Sequence, residues 1–175
     1  ALSTGIQIPL NDIIKLPSEK TFWFGFTIEF LKTTSFSFSL NRRSKSFEEA
    51  LLFRTFITPD DKMSLFGQFK HAEEYEETPD EGQKTQTFSS VNTSLEPRTW
   101  YSVIVKLNES QDGTNLEVLI DNKPVIEQVL KSSFTLTTNK NESILLVIGH
   151  PTGDGNFPAG AHHVLIKDIV IAQEQ

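Results

Sequence analysis

The sequence predicts an all-β fold, an antiparallel sandwich or barrel, and three observations support this prediction. Residues that favour strands are abundant, with 14 Phe among many Val, Ile and Thr. Apolar residues recur at every second position in several separate runs. Turn-forming residues separate those runs, as in a meander of short antiparallel strands. The length of 175 residues corresponds to one domain, which we expect to span 1–175.

The strand signal is clearest between residues 22 and 30. Successive strand residues point to opposite faces, so one face carries four aromatic rings and Ile28 and the other carries Trp23, Gly25, Thr27 and Glu29. The same alternation predicts strands at 36–40, 101–107, 116–120 and 144–148, with shorter candidates at 51–56, 63–69, 125–130 and 163–171. Two short segments, 47–52 and 127–132, have a weakly helical pattern.

Turn signals lie where these strands should end. Pro59-Asp60-Asp61-Lys62 predicts a hairpin turn, and Asp121-Asn122-Lys123-Pro124 predicts a tight turn. The acidic stretch at about 72–84 is the candidate long loop, and 152–156 is a second polar loop.

Composition excludes several function classes. With no cysteine, the chain cannot form a disulfide scaffold, a thiolate zinc site or a cysteine nucleophile. The net charge of −7 argues against nucleic-acid binding, and residues 71–87 alone contribute −5 of it. The longest aliphatic run, 144–148, is far shorter than the ~20 residues that span a bilayer, so we expect no membrane insertion. The N-terminus has neither the basic region nor the apolar region of a signal peptide.

Three segments carry a resemblance to a known family. Trp100 opens a strand, the turn at 111–114 follows, and the next strand ends in Asp121-Asn122-Lys123. Together with the first long strand at 26–30 and the closing segments 148–150 and 164–171, this order resembles laminin-G-like, concanavalin A-like domains. Asn122 stands where that family usually has glycine, and Asn tolerates the left-handed backbone conformation.

The resemblance implies a jelly roll of two packed antiparallel sheets, with a ligand on the face turned away from the core. It also implies a binding module for glycans or protein partners, with calcium in many members and glycoside hydrolase activity in some. We therefore expect a carbohydrate-binding module on a secreted or cell-surface protein, as part of a larger chain. The alternative is a protein-interaction or adhesion domain, and the absent cysteine pair of animal laminin-G domains leaves a cytosolic location open.

Catalysis is not expected from the sequence. Glycoside hydrolysis needs two carboxylates about 5–9.5 Å apart. The resemblance implies that catalytic relatives place them on one strand in a Glu-x-Asp-x-x-Glu type of pattern. No Glu-x-Asp occurs in the chain. We therefore predict that the protein is not an enzyme, with glycoside hydrolase as a third alternative.

The candidate ligand-binding residues combine aromatic platforms with polar neighbours. The Asp154-Gly155-Asn156-Phe157 loop offers a ring for stacking on a sugar and groups that bind hydroxyls. Trp23 and Tyr75 are further platforms, although Phe157 could instead cap the core and Trp23 could be half-buried between strands. Arg42 and Arg43 could bind an acidic ligand or belong to a solvated loop.

Metal binding and glycosylation have candidates of their own. Asp121, Asp154 and Asn156 provide the oxygen ligands that calcium prefers, but turns favour these residue types in any case. A pair formed by His150 with His162 or His163 is a weaker possibility for a metal. The Asn-x-Ser/Thr triplets at Asn92, Asn108 and Asn141 are candidate glycosylation sites.

Overall fold

The chain folds into two antiparallel β-sheets. The structure, a computed structural model, describes residues 5–11, 21–43, 48–72, 83–90, 93–110, 113–130, 143–149 and 163–173. These ranges contain the strands β1 (Ile6–Pro9), β2 (Thr21–Phe30), β3 (Ser37–Arg43), β4 (Glu48–Ile57), β5 (Met63–Ala72), β6 (Gln83–Ser89), β7 (Trp100–Ser110), β8 (Gly113–Ile120), β9 (Lys123–Leu130), β10 (Ser143–Ile148) and β11 (Val164–Gln173). One sheet has the order β1-β10-β3-β4-β5-β6 and the other β11-β2-β7-β8-β9. The prediction of an all-β jelly-roll sandwich is confirmed, and the alternative of a closed barrel is not.

The core lies between the two sheets and is filled from both by alternating side chains. Phe22, Phe24, Phe26, Ile28 and Phe30 are each at most 3% exposed, as the period of two predicts. Their rings meet those of the facing sheet: Phe38 lies edge-on to Phe26, with centroids 5.1 Å apart, and stacks on Phe53 at 4.9 Å. Aromatic pairs at these separations contribute about 0.5–1.5 kcal/mol each beyond area burial.

One glycine is required by this core. Gly67 on β5 is paired with Phe88 on β6. A Cβ at position 67 would lie 2.0 Å from the Phe88 ring, so the ring covers the bare backbone of the glycine. An aromatic side chain across from a strand glycine compensates for the missing side chain in this way.

The two predicted turns join the strands expected of them. Between β4 and β5, the Thr58 and Lys62 backbones are hydrogen-bonded and Asp61 adopts a left-handed φ of 57°. The Thr58 hydroxyl donates to the Asp60 carboxylate and thereby lowers the pKa of Asp60. Between β8 and β9, Asp121 and Asn122 have φ of 51° and 62°, the conformation of a two-residue hairpin loop.

Two segments with a weakly helical pattern are strands instead. Residues 48–52 belong to β4 and 127–130 to β9. Glu, Ala and Leu are good helix formers, but the differences in intrinsic propensity are small, and pairing with neighbouring strands outweighs them. In β4 this pairing also buries Leu51 and Phe53 completely.

Residues 73–82, which make up most of the acidic stretch at 72–84, and the loop at 152–156 lie outside the described residues. Over the ranges given above, no helix has the length and apolar character needed to cross a lipid bilayer. The single domain over 1–175 stays a prediction.

Candidate functional site

The outer face of the five-stranded sheet carries a row of large polar and aromatic side chains. Trp23 on β2 is paired with Lys106 on β7, Lys106 with Glu117 on β8, and Glu117 with Glu127 on β9. Trp23, Lys106 and Glu117 each lie between two buried residues of their own strands, and Glu127 follows the buried Ile126, so all four point away from the core. Neighbouring strands are ~4.8 Å apart, which makes this row about 14 Å long.

A β-bulge in the edge strand places Glu127 in this row. The register between β8 and β9 shifts between Val118 and Leu119, and Val125 is the extra residue on β9. Without the extra residue, Ile126 would be opposite Glu117 and Glu127 would turn to the other face. With the bulge, Ile126 is 2% exposed and Glu127 faces solvent.

The β9 end of the row opens into a cleft of about 590 Å³. Its outward-pointing lining comes from four strands and is almost entirely polar. These residues are Thr21, Lys106, Asn108, Asn115, Glu117, Glu127 and Val129. The cleft is open and shallow, because it lies on a sheet face rather than between elements.

The side chains of the cleft are little used by the protein itself. Lys106 Nζ lies 3.7 Å from Glu117 Oε2, and the two side chains are 40% and 37% exposed, so this ion pair contributes at most about 1 kcal/mol. Within the part of the chain that the structure describes, the side chains of Asn108, Asn115 and Glu127 have no hydrogen bond or ion pair. Amide, ammonium and carboxylate groups are therefore available to a ligand.

The outer face of the six-stranded sheet is different. There the hydroxyls bind an amide or one another: Asn41 Nδ2 donates to Ser39 Oγ at 3.0 Å, and Ser64 and Ser90 share a hydrogen bond of 3.2 Å. Arg54 lies on this face too, and burial lowers its pKa. Several polar groups of this face are engaged within the protein, whereas Gln68 and Lys70 on β5 have no hydrogen bond or ion pair among the described residues. The cleft on the five-stranded sheet is the better candidate site because it gathers such groups around one concave space.

Only one predicted aromatic platform can be located. Trp23 is half-buried on the outer face, on the strand next to that of Lys106. Part of its side chain is exposed, as a platform requires, and part is buried, as the alternative predicts. Tyr75, Asp154, Asn156 and Phe157 lie outside the described residues, and their roles stay predictions.

The predicted basic pair belongs to a strand rather than a loop. Arg42 is paired with Glu49 and Arg43 with Glu48 along β3 and β4. Neighbouring strand residues point to opposite faces, so the two guanidinium groups do not form one anion site. The expectation of a solvated loop is wrong for Arg42 and Arg43, because β3 continues through both.

Asp121, the candidate metal ligand within the described residues, has a structural partner. Its carboxylate accepts a hydrogen bond from the Ser102 N–H at 2.9 Å, and its own N–H donates to the Ser102 carbonyl at 2.9 Å. Among the described residues, no three His, Asp or Glu side chains lie close enough to hold a metal ion. The other candidates for a metal, Asp154, Asn156, His150 and His162, fall outside those residues, and calcium binding stays a prediction.

One candidate glycosylation site coincides with the cleft. Asn108 lies near the end of β7, is exposed and lines the cleft. A glycan attached to Asn108 would fill the space that a ligand needs. Asn92 and Asn141 lie outside the described residues.

The sequence contains a signal for the cleft residues that the predictions did not use. Lys106 and Asn108 alternate with core residues of β7, and Asn115 and Glu117 do so on β8. The hairpin between these strands pairs Ser110 with Gly113, which fixes Lys106 opposite Glu117. The position of Glu127 could not be found in this way, because it depends on the bulge.

The fold is a jelly-roll β sandwich with an open polar site on one sheet. No family model and no curated protein matches the chain. Several solved structures are similar to it, including the following three. The glucuronan lyase of the fungus Trichoderma reesei has a TM-score of 0.47 and 13% identity over 83% of this chain and 61% of its own. The family 16 endo-glucanase of Bacteroides ovatus has a TM-score of 0.45 and 14% identity, over 77% of this chain and 57% of its own. The alginate lyase Aly36B has a TM-score of 0.43 and 9% identity, over 78% of this chain and 70% of its own.

These comparisons correct one prediction. The chain was predicted not to be an enzyme because it lacks a Glu-x-Asp pattern, whereas the three similar structures are all named as enzymes. The pattern concerns glycoside hydrolysis alone, and two of the three are lyases. Its absence is therefore not a ground for excluding catalysis. The laminin-G part of the resemblance receives no support from these structures.

Proposed function

We propose that this protein binds a polysaccharide chain along the outer face of its five-stranded sheet. The observation that carries the proposal is the cleft of about 590 Å³ whose amide, ammonium and carboxylate groups have few partners within the protein. The resemblance to concanavalin A-like domains supports the same class of ligand.

The geometry suits an extended chain of sugars rather than a single one. The row from Trp23 to Glu127 crosses four strands, a distance of about 14 Å. The indole at one end offers a flat apolar surface to a sugar ring. Amides and carboxylates at the other end donate to and accept from hydroxyl groups.

Native affinity electrophoresis tests the proposal. The gel contains one of barley β-glucan, galactomannan, pullulan, alginate or polygalacturonate, and retardation of the protein measures the dissociation constant. We expect at least one of these polymers to retard the protein.

A double variant, Lys106→Ala with Asn115→Ala, removes two hydrogen-bonding groups from the cleft. Each such group contributes about 1 kcal/mol, so affinity should fall at least tenfold. Gln68→Ala with Lys70→Ala removes the same two group types from the outer face of the other sheet and is the matched control. No retardation by any polymer, or an equal loss in both double variants, would contradict the proposal.

A second candidate function is supported by the opposite end of the same face. Trp100, Leu165 and Val170 are 41%, 45% and 44% exposed there. Lys167 Nζ lies 4.2 Å from the centre of the Trp100 ring and partly covers it. Exposed apolar groups of this size also occur where a protein partner binds, which is the adhesion hypothesis. Loss of partner binding in Leu165→Ser, with polysaccharide binding unchanged, would support this alternative.

A further inference from the structure

We infer that the cleft selects an uncharged polysaccharide and discriminates against polymers of uronic acids. This inference rests on the proposed function and adds the chemical class of the ligand. It follows from the charges that line the cleft and from the hydrogen-bonding capacity of each group.

The charges of the cleft are unbalanced. Its lining has one cation, Lys106, and two carboxylates, Glu117 and Glu127. Lys106 is paired with Glu117 at 3.7 Å, and no ion pair with Glu127 is present among the described residues. Lys123, the only cation on β9, is four residues from Glu127, or about 13 Å along the strand. Among the described residues, the cleft therefore presents one more negative than positive charge to its ligand.

An uncharged sugar suits this arrangement. Its hydroxyl groups can donate to the carboxylate of Glu127, which only accepts. They can also accept from the amides of Asn108 and Asn115, both of which line the cleft without a protein partner in the described residues. Hydrogen bonds to an ionised acceptor are the stronger kind.

A uronate is a poor ligand for the same groups. Its carboxylate accepts and cannot donate, so beside Glu127 it would place two like charges together with no hydrogen bond between them. Sites for carboxylates usually contain arginine, whose planar fork binds both oxygens. No arginine lines the cleft among the described residues, and its lysine already faces Glu117.

The affinity gels described above test this inference when run at about 0.1 M salt, where charges more than ~10 Å apart are screened. We expect barley β-glucan, galactomannan or pullulan to bind at least tenfold more tightly than alginate or polygalacturonate. Glu127→Gln should reduce this ratio threefold or more, because it removes the repulsion and weakens the bond to hydroxyls.

Glu29→Gln is the matched control for Glu127→Gln. It changes the net charge equally and lies on the same face, beside Trp100 and Leu165 and away from the cleft. For Glu29→Gln, the ratio of the affinity for neutral polymers to the affinity for polyuronates should equal that of the unaltered protein. Binding of a polyuronate as tightly as the neutral polymers, or an equal effect of the two variants, would overturn the inference and leave polysaccharide binding intact. Binding of no polymer at all would overturn both.

Discussion

Asp121 shows how much of a turn a single side chain determines. Asp and Asn tolerate a left-handed backbone better than other residues with a Cβ, so the pair Asp121-Asn122 could be recognised from the sequence as a turn. What the sequence did not reveal is the partner of the carboxylate, the Ser102 N–H on the strand beside β8. That contact depends on the tertiary pairing of Val103 with Ile120.

We predict that Asp121→Ala lowers the free energy of unfolding by about 1–2 kcal/mol, through a lost hydrogen bond and a strained φ of 51°. Asp121→Asn keeps an acceptor oxygen and the tolerance of this conformation, so it should change stability by less than about 0.5 kcal/mol. Urea denaturation of both variants measures the difference. Equal losses would show that the contact with Ser102 contributes nothing.

Gly67 is fixed by the ring across from it. We predict that Gly67→Ala destabilises the protein by about 1–3 kcal/mol, because the new Cβ would overlap Phe88 and force the ring to move. In a Phe88→Ala background the same change should cost far less, and the difference between the two measures the coupling. An equal cost in both backgrounds would mean that something other than the ring rejects the side chain.

Among the elements, β9 contains the β-bulge that positions Glu127 in the candidate site. It is an edge strand, and edge strands tolerate both Pro124 and a bulge. The extra residue Val125 turns Glu127 outward and leaves Glu127 directly opposite Glu117. Like charges in this arrangement destabilise a sheet. A ligand-binding role for Glu127 would explain why this unfavourable pair is present.

We therefore predict that Glu127→Gln makes the protein slightly more stable while weakening its binding of neutral polysaccharides. The gain should be roughly 0.2–0.5 kcal/mol, small because Glu127 is exposed, and it should shrink at high salt. Urea midpoints at low and high salt, with Glu29→Gln as the control, measure it. A lower midpoint for Glu127→Gln would mean that the carboxylate stabilises the sheet instead.

For the whole molecule, alternation in the sequence predicted an antiparallel sandwich or barrel, and the resemblance to concanavalin A-like domains favoured the sandwich. The period of two identifies the buried face of β2, β7, β8 and β10 without any knowledge of topology. The order of strands within each sheet could not be predicted in the same way, because β1-β10 and β11-β2 join opposite ends of the chain.

The candidate site was less accessible to prediction than the fold. The loop and aromatic residues proposed as ligand contacts were chosen for their chemistry, and of these only Trp23 is in the row on the described sheet face. Lys106 and Glu117 could be paired by extending the hairpin register from Ser110 and Gly113. Glu127 could not, since a one-residue bulge leaves no clear mark in the sequence.

Polysaccharide binding on the five-stranded sheet is the central claim, and NMR mapping tests it most directly. Oligosaccharides from barley β-glucan, galactomannan and pullulan are titrated in turn into ¹⁵N-labelled protein, and backbone amide shifts are followed. Binding as proposed predicts that the largest shifts occur at Lys106, Asn115 and Glu127 and their neighbours on β7, β8 and β9. The largest shifts at Gln68 and Lys70 on β5, or no shifts with any of the three, would contradict it.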